Sequence, residues 1–171
     1  MKQPIHTQRA VAARSARTAL SRLHALCERR ISADLLALCA RLAIASIFFL
    51  SGRTKVDGWL TLTPAAVDLF ATEYRVPLLE PLWAAQLATL AEHLFPLLLL
   101  LGLGTRAAAA ALLAMTAVIQ VFVYPDAWST HLSWATLMLL LIGGGGGRWS
   151  LDQLLARGRS RRLGAGASLT A

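Results

Sequence analysis

At 171 residues the chain has room for one domain, and its 56% apolar composition and positive mean hydropathy lie outside the range of ordinary soluble domains. The net charge of +8 would suit nucleic acid, but the basic excess flanks apolar runs, with seven Lys and Arg from Lys2 to Arg30 and five from Arg148 to Arg162. Membrane topology accounts for that pattern, and nucleic acid is set aside as a partner.

The N-terminal tail, residues 1–34, reads as a basic cytoplasmic segment in which Leu20, Leu23 and Cys27 form a narrow apolar stripe. It suits either a helix adsorbed on anionic lipid or plain disorder. Cys27 and Cys39 both fall on the cytoplasmic side and are expected as free thiols. Ser51-Gly52-Arg53 gives the first apolar run no small-residue cleavage site, so a signal peptide is not expected; a transit peptide is a lesser alternative.

A hydrocarbon core about 30 Å thick needs roughly 20 helical residues. Four segments approach that length: Leu35–Ser51, Leu82–Leu103, Ala107–Tyr124 and Leu132–Gly145. The fourth is short before its five-glycine run begins at Gly143, and it spans only if His131 and Ser133 sit at the outer boundary and the glycines continue the helix. Between the first two spans, Gly52 to Pro81 carries Arg53, Lys55 and Arg75 against Asp57, Asp68, Glu73 and Glu80, while Arg106 lies in the second turn. The positive-inside rule then places both termini and Arg106 in the cytoplasm and the first loop outside. Thr63 followed by Pro64 caps a short helix whose face holds Val67, Phe70, Ala71 and Tyr74. The expected fold is an all-α membrane protein: a four-transmembrane-helix bundle over residues 35–150, with a short amphipathic helix in the first external loop. A basic cytoplasmic tail over residues 151–171 follows, where Ser150 and Gln153 form a capping box for a helix ending near Gly158.

Ionisable groups inside spans cost about 2.5–3.5 kcal/mol each at the centre, so Arg41, Glu92 and His93 call for partners. By helical rise Arg41 and Glu92 differ in depth by about 7 Å, which a long Arg side chain bridges, so an Arg41–Glu92 ion pair is expected. The pair serves either as interhelical glue or in ligand and proton handling. Pro96 removes the amide that would bond the Glu92 carbonyl, and Gln86, Thr89 and Gln120 add polar groups around the same level. His93 and His131 stand at different depths and do not suit axial haem ligation, no Cys/His spacing suits a metal, and no Cys-x-x-Cys pair is present.

The segment RLAIASIFFLSGRTK from Arg41 to Lys55 resembles the first-helix signature of the DoxX family. EHLFPLLLLLGLGTR from Glu92 to Arg106 resembles its second helix and turn. His131-Leu-Ser-Trp134 and the glycine run to Ser150-Leu-Asp152 resemble its last helix and exit, so that the likeness covers roughly Leu35 to Leu155. The resemblance implies a small multi-pass protein of the bacterial inner membrane, in a family named for a subunit associated with thiosulfate:quinone oxidoreduction and with some members linked to oxidative-stress complexes. By position it marks Arg41, Gly52, Lys55, Glu92, Arg106, His131 and Asp152. The role it implies is an accessory subunit of a quinone-linked redox system, not catalytic alone, with quinone as the candidate cofactor beside Arg41, Glu92 and His93. A protein partner or a second copy of the chain is expected, alongside membrane lipid. A non-catalytic scaffold is the alternative, and a small-molecule carrier ranks last because no inverted repeat is visible.

Overall fold

The computed structural model describes residues 32–158. Cys27, the Leu20 and Leu23 stripe and most of the basic tail residues lie outside the described residues. Helix α1 (Ala33–Arg53) starts at Ser32, whose hydroxyl accepts the Leu35 amide at 3.2 Å. A short hairpin follows, β1 (Val56–Asp57) against β2 (Thr61–Leu62), with Val56 opposite Leu62 and Gly58 supplying the left-handed turn at φ +61°. This hairpin is not foreseen in the sequence reading. Helix α2 (Pro64–Leu69) is capped by the Thr63 hydroxyl and widens into a π-turn over Phe70–Tyr74. Helix α3 (Pro81–Leu101) runs unbroken through Pro96. Helix α4 (Thr105–Val118) also ends in a π-turn, Ile119–Val123, and a 3-10 turn at Pro125–Ala127 leads into α5 (Trp128–Gly144). Residues 151–158 form a last helix, α6, opened by Ser150, whose hydroxyl accepts the Gln153 amide.

Three of these helices, α1, α3 and α4 with its π-turn to Val123, are long and apolar enough to cross a membrane. Helix α5 packs on α1 and α4 and has 17 residues, about 25 Å of rise. The helices bury a seam of small and medium side chains, including Ala40, Ile44, Ala45, Ala108, Ala109, Leu112 and Met138. Small residues at helix crossings let backbones approach, which drives association where lipid removes the hydrophobic difference between inside and outside. Leu42, Leu50, Leu90, Leu97, Leu132 and Leu139 face outward, as lipid-facing positions do. Four tryptophans are exposed, Trp59, Trp83 and Trp128 toward the hairpin end and Trp149 toward the other, in the manner of interfacial aromatic belts.

Of the five-glycine run only Gly143 and Gly144 prolong α5. The helix stops at Gly144, and Gly145 (φ +76°) and Gly147 (φ +73°) turn the chain back across the end of the bundle. Length is recovered at the other end, where α5 begins at Trp128 rather than Leu132. The loop is shaped around Arg41, whose guanidinium donates to Leu99 O (2.7 Å), Leu100 O (2.6 Å), Gly146 O (3.0 Å) and Trp149 O (2.9 Å). Leu99 and Leu100 lie in the last turn of α3, so Arg41 satisfies the Leu100 carbonyl, shares the Leu99 carbonyl with the Gly102 amide and meets the negative end of the helix dipole. A side chain at Gly146 would sit 2.6 Å from Thr105 Oγ1, and one at Gly102 would sit 2.6 Å from Ser150 Cβ, so both positions need glycine. Asp152 accepts the Gly104 and Thr105 amides at 2.7 and 2.9 Å, capping α4 from a distant part of the chain. Burial alone would raise the Asp152 pKa, but the Thr105 and Gly104 amides, with Arg41 nearby, outweigh it and hold the carboxyl below its ordinary value.

Candidate functional site

The polar centre of the molecule lies at the opposite, hairpin end. Ser51 and Lys55 are one helical turn apart where α1 runs out, and both turn toward α3. Lys55 Nζ lies 2.7 Å from Glu92 Oε2 and 3.0 Å from Oε1, and it also donates to the Ser51 hydroxyl (3.1 Å) and carbonyl (3.2 Å). The Ser51 hydroxyl in turn donates to Glu92 Oε1 at 2.9 Å. The hairpin holds the lysine backbone in place, since the Thr63 amide donates to the Lys55 carbonyl at 3.0 Å. Both charged side chains are almost wholly buried, at 6% and 5% exposure.

This corrects the expected partner of Glu92. Ser51 stands level with Glu92, and Arg41 level with Leu99 and Leu100, so Arg41 lies ten residues, about 15 Å, farther down the bundle. The estimate of 7 Å fails because α3 does not begin at the level where α1 ends. Its first turns rise beside the hairpin and α2, which moves Glu92 toward that end.

The close approach that lets Ser51 and Lys55 reach Glu92 depends on Gly52. A Cβ there would lie 2.9 Å from Glu92 Cβ and 2.9 Å from the His93 ring. Gly52→Ala is expected to push α1 and α3 apart and cost about 1–3 kcal/mol, read as a lowered unfolding midpoint of the purified protein in detergent.

Beside the ion pair opens a cavity of about 320 Å³. Ser51, Lys55 and Glu92 form one polar wall and His131 supplies another polar group; the remainder is chiefly apolar and aromatic, with Ile47, Phe48, Phe70, Leu87, Met115 and Trp134. Trp134 is held edge-on between Phe48 (5.6 Å) and His131 (5.2 Å). Tyr74 and Tyr124 complete the rim, their rings 5.7 Å apart, and the Tyr124 hydroxyl donates to Glu73 at 2.8 Å. The adjacent Tyr74 hydroxyl and the Glu73 carboxylate hold the Tyr124 pKa above its ordinary value. His131 Nδ1 bonds Gln120 Oε1 at 2.7 Å, and Gln120 Nε2 donates to the Pro125 carbonyl at 2.7 Å.

Of the residues singled out in the sequence, the cavity thus gathers Lys55, Glu92 and His131, with Gly52 and Gln120 supporting them. His93 stands behind Gly52, with Nδ1 on the Thr89 carbonyl at 2.7 Å and its ring edge-on to Phe49, and it does not line the cavity. Gln86 is exposed on α3. Arg41, Arg106 and Asp152 belong to the glycine-loop end, where Arg106 donates to the Gly143 carbonyl at 3.2 Å. Cys39 is a free, exposed thiol. The sequence reading marks Lys55 by resemblance alone. Its spacing of four from Ser51, on the far side of the crossing glycine, is the local signal that it faces the neighbouring helix. Among the described residues no three His, Cys, Asp or Glu side chains converge as a metal site would need.

A family model described as DoxX matches residues 36–125, more than half of the chain. The match includes Ser51, Gly52, Lys55 and Glu92 and stops before His131 and the glycine loop. No curated protein and no solved structure matches the chain. With the matched region running from the first apolar helix to the end of the third, and holding the buried ion pair of the cavity, this membrane protein belongs to the DoxX family.

Proposed function

We propose that this DoxX-family protein is an accessory subunit of a quinone-linked redox system in the bacterial inner membrane, and that it holds the quinone in the cavity beside Lys55 and Glu92. The observation that carries the reading is an apolar, aromatic-lined space of about 320 Å³ with one buried lysine–carboxylate wall. A planar apolar ring with polar oxygens on its edge suits such a space, because the aromatic walls take the ring faces while the polar wall orients the oxygens. The chain crosses the membrane four times, α5 being the fourth span, with both termini cytoplasmic and the hairpin and α2 on the outer surface. Residues 35–150 form the membrane domain, and the basic tails on either side face anionic lipid. Electrons come from a partner protein, so the purified chain alone turns over no quinone.

The test is purification in native-lipid particles and mass spectrometry of the quinone retained per chain. The parent should hold quinone above the lipid background, and Ala88→Trp, which fills the cavity from α3, should hold none. Equal amounts in both, or only background in the parent, favour the scaffold reading. Reporter fusions check the topology: a periplasm-active reporter should work at Thr72 and fail at Arg106 and Ala171.

A further inference from the structure

The hydrogen bonds at the His131 side of the cavity fix which chemical form of ligand fits there. The carbonyl of Pro125 can only accept, so the Gln120 group 2.7 Å from it is the amide nitrogen, and the Gln120 oxygen is the atom turned to His131. That oxygen accepts in its turn, which requires the proton of the imidazole to sit on Nδ1. The ring is buried and bonded to an amide rather than a carboxylate, so it is neutral, and Nε2 carries a lone pair. Among the described residues no hydrogen bond engages Nε2.

The direction of that lone pair follows from what each residue borders. Gln120 lines an outward groove between α4 and α5, together with Leu113, Trp128 and Leu132, and does not line the cavity, whereas His131 lines both. The two nitrogens of an imidazole point in nearly opposite directions. With Nδ1 turned to Gln120 on the groove side, Nε2 is on the cavity side.

We propose that the cavity selects a ligand bearing a hydroxyl, which donates to Nε2 of His131, and that Gln120 is the positioning residue that keeps this nitrogen free of its proton. This rests on the cavity being a ligand site and goes beyond it. Of the two redox forms of a quinone, the reduced form has hydroxyls to donate and the oxidised form has none, so the site prefers the quinol. A quinol hydroxyl can serve His131 while a second oxygen faces the Lys55 and Glu92 wall. The polar wall and the histidine then hold the ring from two sides.

The experiment uses the full chain in lipid nanodiscs, with naphthol and its methyl ether as probes and each affinity corrected for partition into empty nanodiscs. The parent should bind naphthol about tenfold more tightly than the ether, the worth of one net hydrogen bond. His131→Phe, which keeps an aromatic ring beside Trp134, and Gln120→Leu, which releases the tautomer, should both bring the ratio close to one while the ether binds as before. Nitrogen NMR of labelled histidine supplies the readout that packing alone would not move: in the parent His131 should show a protonated Nδ1 and a bare Nε2, and Gln120→Leu should shift it toward the Nε2–H form. A parent His131 protonated at Nε2, or a naphthol preference that survives His131→Phe, overturns the proposal. Failure of the cavity reading has a different signature, in which Ala88→Trp leaves the binding of both probes unchanged.

Discussion

Lys55→Met should destabilise the protein by about 3–5 kcal/mol, the range found when one member of a buried ion pair is removed and the other is stranded. The magnitude follows from burial: the Glu92 carboxylate would keep the Ser51 hydroxyl but lose the ammonium that lies 2.7 Å away. Glu92→Gln should cost less, since the amide oxygen can still accept from Ser51 and Lys55. Lys55→Met combined with Glu92→Met should recover most of the loss, because two apolar side chains of similar length leave no uncompensated charge. Reversible unfolding of the parent, Lys55→Met, Glu92→Met and the double variant in one detergent measures the coupling. A double-mutant cycle between Lys55 and Glu92 should give strong coupling and one between Arg41 and Glu92 close to none. The reverse pattern would mean that the two helices meet in a different register.

Arg41→Lys should be the second severe substitution, at about 2–4 kcal/mol, although it keeps the charge. Four carbonyls from two parts of the chain, the end of α3 and the glycine loop, converge on the planar guanidinium, and an ammonium has three donors in a compact geometry that cannot span them. Each carbonyl left without a donor in a buried place costs about 1–3 kcal/mol. The damage should stay at the glycine-loop end: Arg41→Lys lowers the unfolding midpoint while leaving the affinity of the cavity for naphthol within about twofold. Lys55→Met, by contrast, should impair stability and binding together. Hydrogen exchange offers a second check, with faster exchange expected at the Gly102 and Gly145 amides in Arg41→Lys and little change near Glu92.

The apolar helices are legible in the sequence because unbroken Leu and Ala runs have no other comfortable environment, and their bounds fall within a few residues of those observed for α1, α3 and α4. The start of α5 is less legible, since Trp128-Ser-Thr-His131 is polar enough to pass for loop. The hairpin escapes notice because its strands have two residues each and no alternation to detect. At the site, Glu92 is recognisable as a buried acid from its apolar surroundings, but its partner is not, because pairing depends on the relative height of two helices. A few residues of extra α3 beyond the end of α1 exchange Arg41 for Lys55. The glycine run is legible as unusual and illegible as a carbonyl-bearing collar for Arg41, since the close contacts that require glycine at Gly146 include Thr105 from a distant part of the chain. The role of Gln120 is similarly hidden, because the carbonyl that orients it lies in the turn after the π-bend of α4.

Photolabelling in intact membranes, with a benzoquinone that carries a diazirine on its ring, tests whether the space beside Lys55 and Glu92 is a quinone site. Adducts are expected on the cavity side chains Phe48, Met115 and Trp134, suppressed by excess unlabelled quinone and absent from Ala88→Trp. Adducts confined to outward residues such as Leu90 and Leu139, insensitive to both the competitor and the substitution, would contradict it.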